Sequence, residues 1–514
     1  MRTINNMFKL SVALLSATVS ISSALPAMAD TSSASKLVEV QVPSTSATVS
    51  SVSRTSERKL LAAVPASAAS SSADKFTWKK PLIPVTADFT LSNGLRVILS
   101  EDHTVPVTAV AIVYDVGSRN EQKGRSGFAH LFEHMMFEGS ENVGKTEHFK
   151  YIESAGGSLN ASTHNDFTNY FEKIPSNQLE LALWLESDRM RSLKVTSENF
   201  ENQLQTVKEE KRSRIDNQPY VPAALKLEEV TFDNWSNAHP VIGSFEDLEA
   251  SSIADVRSFF KTYYAPNNAV MAIVGDIDPV ATRKMVEKYF GNIPAQPKPK
   301  APQVAEPEQT KEKYVKVDDA HAQMPAFWMA WKAPAKAEPD YYPLSIIQNL
   351  LSTGDSSRYY QRMIKGDQIA LKADAQYDER RGPGAFETFV IIKPGTTPEK
   401  AREVVWSELE KLKTTPVSEA ELDKTKNQVL RALFSSNSYV SVQRGLARAE
   451  MLAEFTSFYG DPKKIDEDIE GYMKVTPADI QRVAAKYFTK DRTTIIDVQP
   501  VKKTASTETE SKSN

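Results

Sequence analysis

The sequence predicts an α+β chain in which two similar units, each a mixed sheet with packed helices, follow one another. Three observations carry that expectation. The chain has 514 residues, against roughly 150 for a typical domain. A segment rich in Pro, Lys and Gln, 292–313, divides it into two blocks. Short strand-like runs and longer helical stretches recur in a similar order on either side of it.

Composition narrows the class further. Hydrophobic residues make up 40% and charged residues 25%, an ordinary globular balance. The 62 Lys and Arg against 66 Asp and Glu give no basic excess, so a nucleic-acid binder is not expected. The absence of cysteine rules out disulfides, zinc–thiolate sites, cysteine nucleophiles and lipid attachment through an N-terminal Cys. Any metal must therefore be held by His and carboxylate.

The elements follow in order. Arg2 and Lys9, the apolar run 10–25 and Ala27-Met28-Ala29 read as a signal peptide over 1–29. That run is shorter than the ~20 residues a membrane span needs and is diluted by serine. No other segment is long and apolar enough to span, so the mature chain is expected to be exported, to the periplasm, without a stable membrane span. Residues 30–74 are rich in Ser, Thr, Ala and Val with no aromatic residue, the composition of a flexible linker.

The first block, 75–291, opens on a hairpin signalled by Asn93-Gly94 between two apolar runs. A strand over 107–116 follows, then a loop with glycine (117–127), helices, a strand near 158–173, a long helical region, a buried strand at 268–276 and a helix to Phe290. The linker 292–313 precedes the second block, 314–500. There the pattern predicts a strand at 326–331, a helix at 341–351, strands at 371–377 and 385–393, long helices and a last strand at 493–499. A polar tail, 501–514, ends the chain.

Two of the seven histidines carry the chemistry. In His130-Leu-Phe-Glu133-His134 the His residues are four apart, one helical turn, on one face, with Glu133 beside them. H-x-x-E-H is the inverted form of H-E-x-x-H, a zinc protease motif. Phe128, Leu131, Phe132, Met135 and Met136 make one apolar stripe, and Gly127, His130, Glu133, His134 and Phe137 a second. Such a helix is buried on both sides with a polar site in the middle. Zinc needs a third ligand. The helix near 200–214, capped by Thr196 or Ser197, has Phe200, Leu204 and Val207 as its buried stripe. At about 100° per residue Glu210 lies about 60° from Val207, in line with Gln203, whereas Glu209 points to solvent. Glu210 is therefore the expected inward carboxylate.

These residues resemble a known family. Gly127-Phe-Ala-His-Leu-Phe-Glu-His-Met-Met-Phe-Glu-Gly-Ser looks like the active-site helix of the M16 metallopeptidases, which include pitrilysin, insulin-degrading enzyme and the mitochondrial processing peptidase. Gly156-Gly-Ser-Leu-Asn-Ala-Ser-Thr, Val207-Lys-Glu-Glu-Lys-Arg-Ser-Arg, His239-Pro-Val-Ile-Gly and Tyr264-Ala-Pro-Asn-Asn with Ile273-Val-Gly-Asp stand in family order. With the repeated second block they cover nearly all of 84–500. The resemblance implies two homologous domains of the LuxS/M16 metallopeptidase type, forming a half-clam around a substrate chamber. It implies Zn2+ on His130, His134 and Glu210, with Glu133 as general base. Peptide is expected to add as a strand along 157–163, against Asn160, Ala161 and Ser162. The implied activity is a zinc endopeptidase acting on peptides or unfolded segments.

Two positions depart from the family pattern. Gln203 stands where many members carry a Glu supporting the metal site. Ile364 and Leu371 stand where active members carry an Arg and a Tyr that stabilise the tetrahedral intermediate. Arg358, Arg362 and Tyr377 lie nearby without the spacing. The chain is thus expected to be the zinc-bearing subunit of a heteromer, its partner a second M16 subunit that supplies the Arg–Tyr pair. The alternative is a non-catalytic scaffold or peptide-binding subunit.

Overall fold

Two sheets with the same strand plan organise the chain. The computed structural model describes residues 80–336, 338–435, 442 and 444–501, all within one compact unit. The expected signal peptide, the whole of the 30–74 linker and all but Val501 of the tail lie outside the described residues.

The first sheet comprises β1 (Ala87–Thr90), β2 (Arg96–Glu101), β3 (Val107–Tyr114), β4 (Ser158–Thr163), β5 (Thr168–Pro175) and β6 (Ala269–Gly275), in the order β1-β2-β6-β3-β5-β4. β2 and β6 run parallel, and the other neighbours antiparallel. The second comprises β7 (Lys313–Asp319), β8 (Ala326–Ala333), β9 (Ala370–Asp378), β10 (Gly384–Ile392) and β11 (Thr494–Pro500), in the order β7-β11-β8-β10-β9. Again the first pair is parallel and the rest antiparallel. Without β1, the two plans match strand for strand, in sequence order and in direction. That correspondence is stronger evidence for duplication than the sequence offers.

The sequence pattern is corrected at two places. The single strand expected near 158–173 is a hairpin, β4 and β5, turning through His164-Asn-Asp-Phe167 and paired from Ser158↔Lys173 to Thr163↔Thr168. The polar character of its turn is diluted by Phe167, which stacks on His164. Strand β7 was not expected. Its Lys-Tyr-Val-Lys-Val alternation is the pattern of a half-buried strand.

Helices cover the sheets. α1 (Phe128–Met135), α2 (Glu147–Ser154), α3 (Leu179–Ser192), α4 (Ser197–Lys211), α8 (Ile253–Tyr263) and α9 (Pro279–Phe290) bury the first core. Between α4 and α8 lie α5 (Val221–Thr231) and the short α6 (Trp235–Ala238) and α7 (Phe245–Glu249). In the second half α10 (Tyr341–Ser352), α11 (Pro398–Thr414), α12 (Glu419–Phe434), α14 (Lys464–Lys474) and α15 (Pro477–Tyr487) enclose the second core or flank it. Two helices cross over. α5 packs on β8 and β11, where Ala223 and Leu227 meet Trp328, Ile496 and Val498. In return α13 (Gly445–Tyr459) packs on β3 and β6. Each half thus covers the outer face of the other's sheet, which ties the halves through apolar burial. No described helix is long and apolar enough to cross a membrane.

Candidate metal centre

α1 is buried along its whole length, as its two stripes require. Its N-terminus is held without a capping side chain of its own. Glu121 accepts from Gly127 N (2.9 Å) and Ala129 N (2.7 Å), putting negative charge at the positive end of the helix. His239 Nε2 lies 3.0 Å from the same carboxylate, which gives the His239-Pro-Val-Ile-Gly motif a structural task. Gly127 and Gly243 meet back to back at φ 86° and 74°. A Cβ on Gly243 would fall 2.4 Å from Ser126 O, so neither position accepts a side chain.

α4 begins where the pattern placed it, with Thr196 Oγ1 accepting from Asn199 N at 3.2 Å. It brings Glu210 to α1. Glu210 Oε2 lies 3.3 Å from His134 Nε2 and 3.8 Å from His130 Nε2. Glu209 points outward, its side chain 70% exposed, and pairs with Arg212. One residue past α4 the chain winds into a wider, π-type turn, Arg212–Asp216. Arg214, within it, reaches back to Glu210 Oε1 at 2.8 Å.

These three side chains fit a zinc ion. One ligand atom from each of His130, His134 and Glu210 lies within 4.8 Å of the others. His130 Nδ1 and Nε2 and His134 Nε2 are buried with no hydrogen-bond partner among the described residues. Unpartnered imidazole nitrogens in a closed interior are costly unless something binds them. Two nitrogens and one carboxylate form a set that leaves a fourth position open.

The surrounding groups orient the set. His134 Nδ1 donates to Gln203 Oε1 at 3.2 Å, which leaves Nε2 as the free lone pair facing Glu210. Gln203 Nε2 in turn donates to Glu138 Oε1 at 2.6 Å, and Lys145 pairs with Glu138 at 2.8 Å. Glu138 thus places a carboxylate behind Gln203. Burial, with the charge of His134, pushes His130 down to about 3, so it stays neutral. Burial acts against the Glu210 carboxylate, but the neighbouring imidazoles and the Arg214 guanidinium hold it down at about 2.

Glu133 faces the same space and is fully buried. Burial pushes its carboxyl up to about 7. Thr163 Oγ1, at the end of β4, donates to Glu133 Oε2 at 2.5 Å. Sequence reasoning missed Thr163. The period of two along β4 was a usable signal, since it puts Thr163 on the core-facing side with the buried Ala161. Asn160 is half-buried and Ser162 buried, and β4 is the last strand of its sheet.

The second half places no oxyanion donor at Ile364 or Leu371, the positions where the resemblance implies an Arg and a Tyr. Ile364 packs against the second core and Leu371 is exposed. Arg358 is held by both oxygens of Glu421 (3.0 and 2.8 Å), Arg362 by Asp367 (2.8 Å), and Tyr377 donates to Pro334 O (2.6 Å).

A second group, His148, Glu172 and Glu186, also meets the spacing for a metal. Here Arg189 lies in bidentate contact with Glu186, 4.5 Å over the Tyr170 ring. That guanidinium already supplies the cation, so the cluster reads as a buried ion cluster.

The chain is similar to known proteins over most of its length. The profile of the insulinase family (peptidase family M16) matches residues 96–242, and that of the M16 inactive domain matches 251–429. A zinc protease, PqqE, of Helicobacter pylori is 29% identical over 436 residues, covering 81% of this chain and 94% of its own. A probable mitochondrial-processing peptidase subunit beta of Arabidopsis thaliana is 23% identical over 427 residues, covering 81% and 79%. The crystal structure of a protease from Helicobacter pylori superposes with a TM-score of 0.76 at 27% identity, covering 81% of this chain and all of that one. With its two-domain α+β fold and these relatives, the chain belongs to the M16 peptidase family.

Proposed function

We propose that the chain is a zinc-dependent endopeptidase of peptides or unfolded segments, and the zinc-bearing subunit of a heteromeric M16 peptidase. The observation that carries this reading is the convergence of the ligand atoms of His130, His134 and Glu210 beside the buried Glu133. Zinc held there supplies Lewis acidity toward a carbonyl and lowers the pKa of a water to near neutrality.

The chain's own residues do the rest. Glu133 takes a proton from the attacking water and passes it to the leaving amine. Thr163 holds the Glu133 carboxyl in place for that transfer. β4, as the edge of its sheet, offers main-chain groups to an extended peptide, which tolerates varied sequences. Gln203 fixes the His134 tautomer.

Among the described residues at and beside the expected positions no side chain is free to donate to the developing oxyanion, since Ile364 and Leu371 cannot donate and Arg358, Arg362 and Tyr377 are engaged elsewhere. A second subunit bearing an Arg–Tyr pair completes the site. Export through residues 1–29 belongs to the same proposal, and mature protein should begin at Asp30.

The test is hydrolysis of an unstructured peptide by the zinc-loaded chain, alone and mixed with an Arg–Tyr-bearing M16 relative. Removing one oxyanion donor costs about 10²–10³ in rate, so mixing should raise the rate at least that much. Equal rates alone and mixed would overturn the heteromeric part. A chain that takes up no zinc would overturn the whole reading.

A further inference from the structure

The hairpin of β4 and β5 is gripped from the second half of the chain. Side chains alternate along β4. Ala161 and Thr163 face α1 and the core, and Ser162 faces the other way. Its cross-strand partner is Asn169. Ser162 Oγ donates to Asn169 Oδ1 and lies 2.9 Å from His164 Nε2. Asn169 Nδ2 donates to Glu450 Oε1 on α13 at 3.2 Å, across 281 residues of sequence. Ser162 and Asn169 are both buried, so this chain of hydrogen bonds is shielded from water.

Two further contacts from the second half reach the same hairpin. Asp166 in the turn accepts from Arg381 N at 2.7 Å and from the buried Arg119 at 3.0 Å. Phe167 meets Phe458 of α13 edge-on, with ring centroids 5.5 Å apart. α13 is itself anchored to the first sheet by the ion pair of Arg448 with Asp102.

We infer that Glu450 is a positioning residue for peptide binding, setting the outer face of β4 through Asn169 and Ser162 while the inner face holds Glu133 through Thr163. The inference rests on the peptidase reading for the statement that β4 takes peptide. The half without the metal set thereby governs the strand on which substrate lies. Glu450 touches neither the metal ligands nor Glu133, so its effect falls on strand geometry and peptide affinity.

The experiment compares Glu450→Ala, Glu450→Gln and Glu450→Met, all in the zinc-loaded full chain carrying Glu133→Gln so that peptide is not cut. Amide hydrogen exchange is read over 158–163 and over α1, and affinity for a labelled unstructured peptide by fluorescence anisotropy. Losing a hydrogen bond to this half-buried carboxylate should speed exchange in β4 by about tenfold and weaken peptide binding similarly. Exchange in α1 and zinc content should not change. Gln keeps the acceptor and should restore both readings, whereas Glu450→Met, which keeps the bulk and loses the oxygen acceptor, should behave as Ala does; rescue by Met would show a packing role and overturn the inference. Exchange in β4 at the parent rate in Glu450→Ala would overturn the inference. Should Glu450→Ala not fold, Asn169→Ala cuts the same link from β5 and decides the question by the same readings. If the parent chain binds no peptide, the peptidase reading fails, while the exchange rates still decide whether Glu450 positions the strand.

Discussion

Thr163 donates its hydroxyl to Glu133 across 2.5 Å, joining the last residue of the edge strand to the H-x-x-E-H helix. The bond holds one carboxylate oxygen and leaves the other for proton transfer. It also makes the base sensitive to the strand on which peptide is proposed to lie.

Replacing Thr163 with Val keeps the shape and removes the donor. Hydrogen bonds to charged groups are worth about 1.5–3 kcal/mol, so hydrolysis should fall by about 10–100-fold. Zinc content, measured by atomic absorption, should stay at the parent level, because Thr163 touches no ligand. A loss of zinc in Thr163→Val would contradict this assignment.

The adjacent acids Glu209 and Glu210 should behave in opposite ways. Glu210→Gln removes an anionic ligand from the set, and should strip the metal and the activity together. Glu209→Gln should leave both intact, because its side chain is in solvent. Metal analysis of the two purified variants gives the answer, and the reverse pattern would show the helix face to be misassigned.

Glu172 offers a test by pH. It is buried with both oxygens lacking a hydrogen-bond partner, and burial together with the charge of Glu186 raises its carboxyl well above the ordinary range. A carboxyl raised on folding favours the folded state below its unfolded pKa, and that contribution is lost as pH rises through the folded value. Thermal stability should therefore decline from about pH 5 upward. Glu172→Gln should flatten the decline and match or exceed the parent in alkaline buffer. Melting temperatures across that range decide it, and a steeper decline in the variant would count against the assignment.

Arg380 ties the halves. Its buried guanidinium donates to Glu228 Oε1 (2.6 Å), Asp378 Oδ2 (2.7 Å) and Asn237 O (2.8 Å). Arg380→Met leaves two carboxylates and a carbonyl without their partner, and should cost about 3–5 kcal/mol. Urea denaturation should show the midpoint falling by the corresponding amount. A shift under about 1 kcal/mol, the size expected of a surface pair, would mean the cluster is solvated.

Much of the site was legible because it is local. The turn-spaced His130 and His134, and the angular placement of Glu210 against Glu209, follow from helix geometry alone. What escaped is non-local. Periodicity marks α5 and α13 as helices with buried faces, but it says nothing about which sheet each covers, and each covers the other half's. Glu450 and Asn169 are 281 residues apart, and a lone Glu in a helix reads as a solvated charge. Glu138 was missed as the charge behind Gln203 for the same reason. Strand β7 was hidden by its lysines: Lys316 sits on an outward position, and Lys313, on the inward phase with Val315 and Val317, carries its ammonium to Val230 O and Asp233.

The most direct test of the account compares the zinc-loaded chain with its Glu133→Gln variant, each mixed with an Arg–Tyr-bearing relative, in hydrolysis of an unstructured peptide. Glu133 is assigned to proton transfer and not to the metal. The variant should therefore keep about one zinc per chain while its hydrolysis falls by at least the 10²–10⁴ expected for loss of a general base. Hydrolysis by Glu133→Gln at the parent rate would contradict the account.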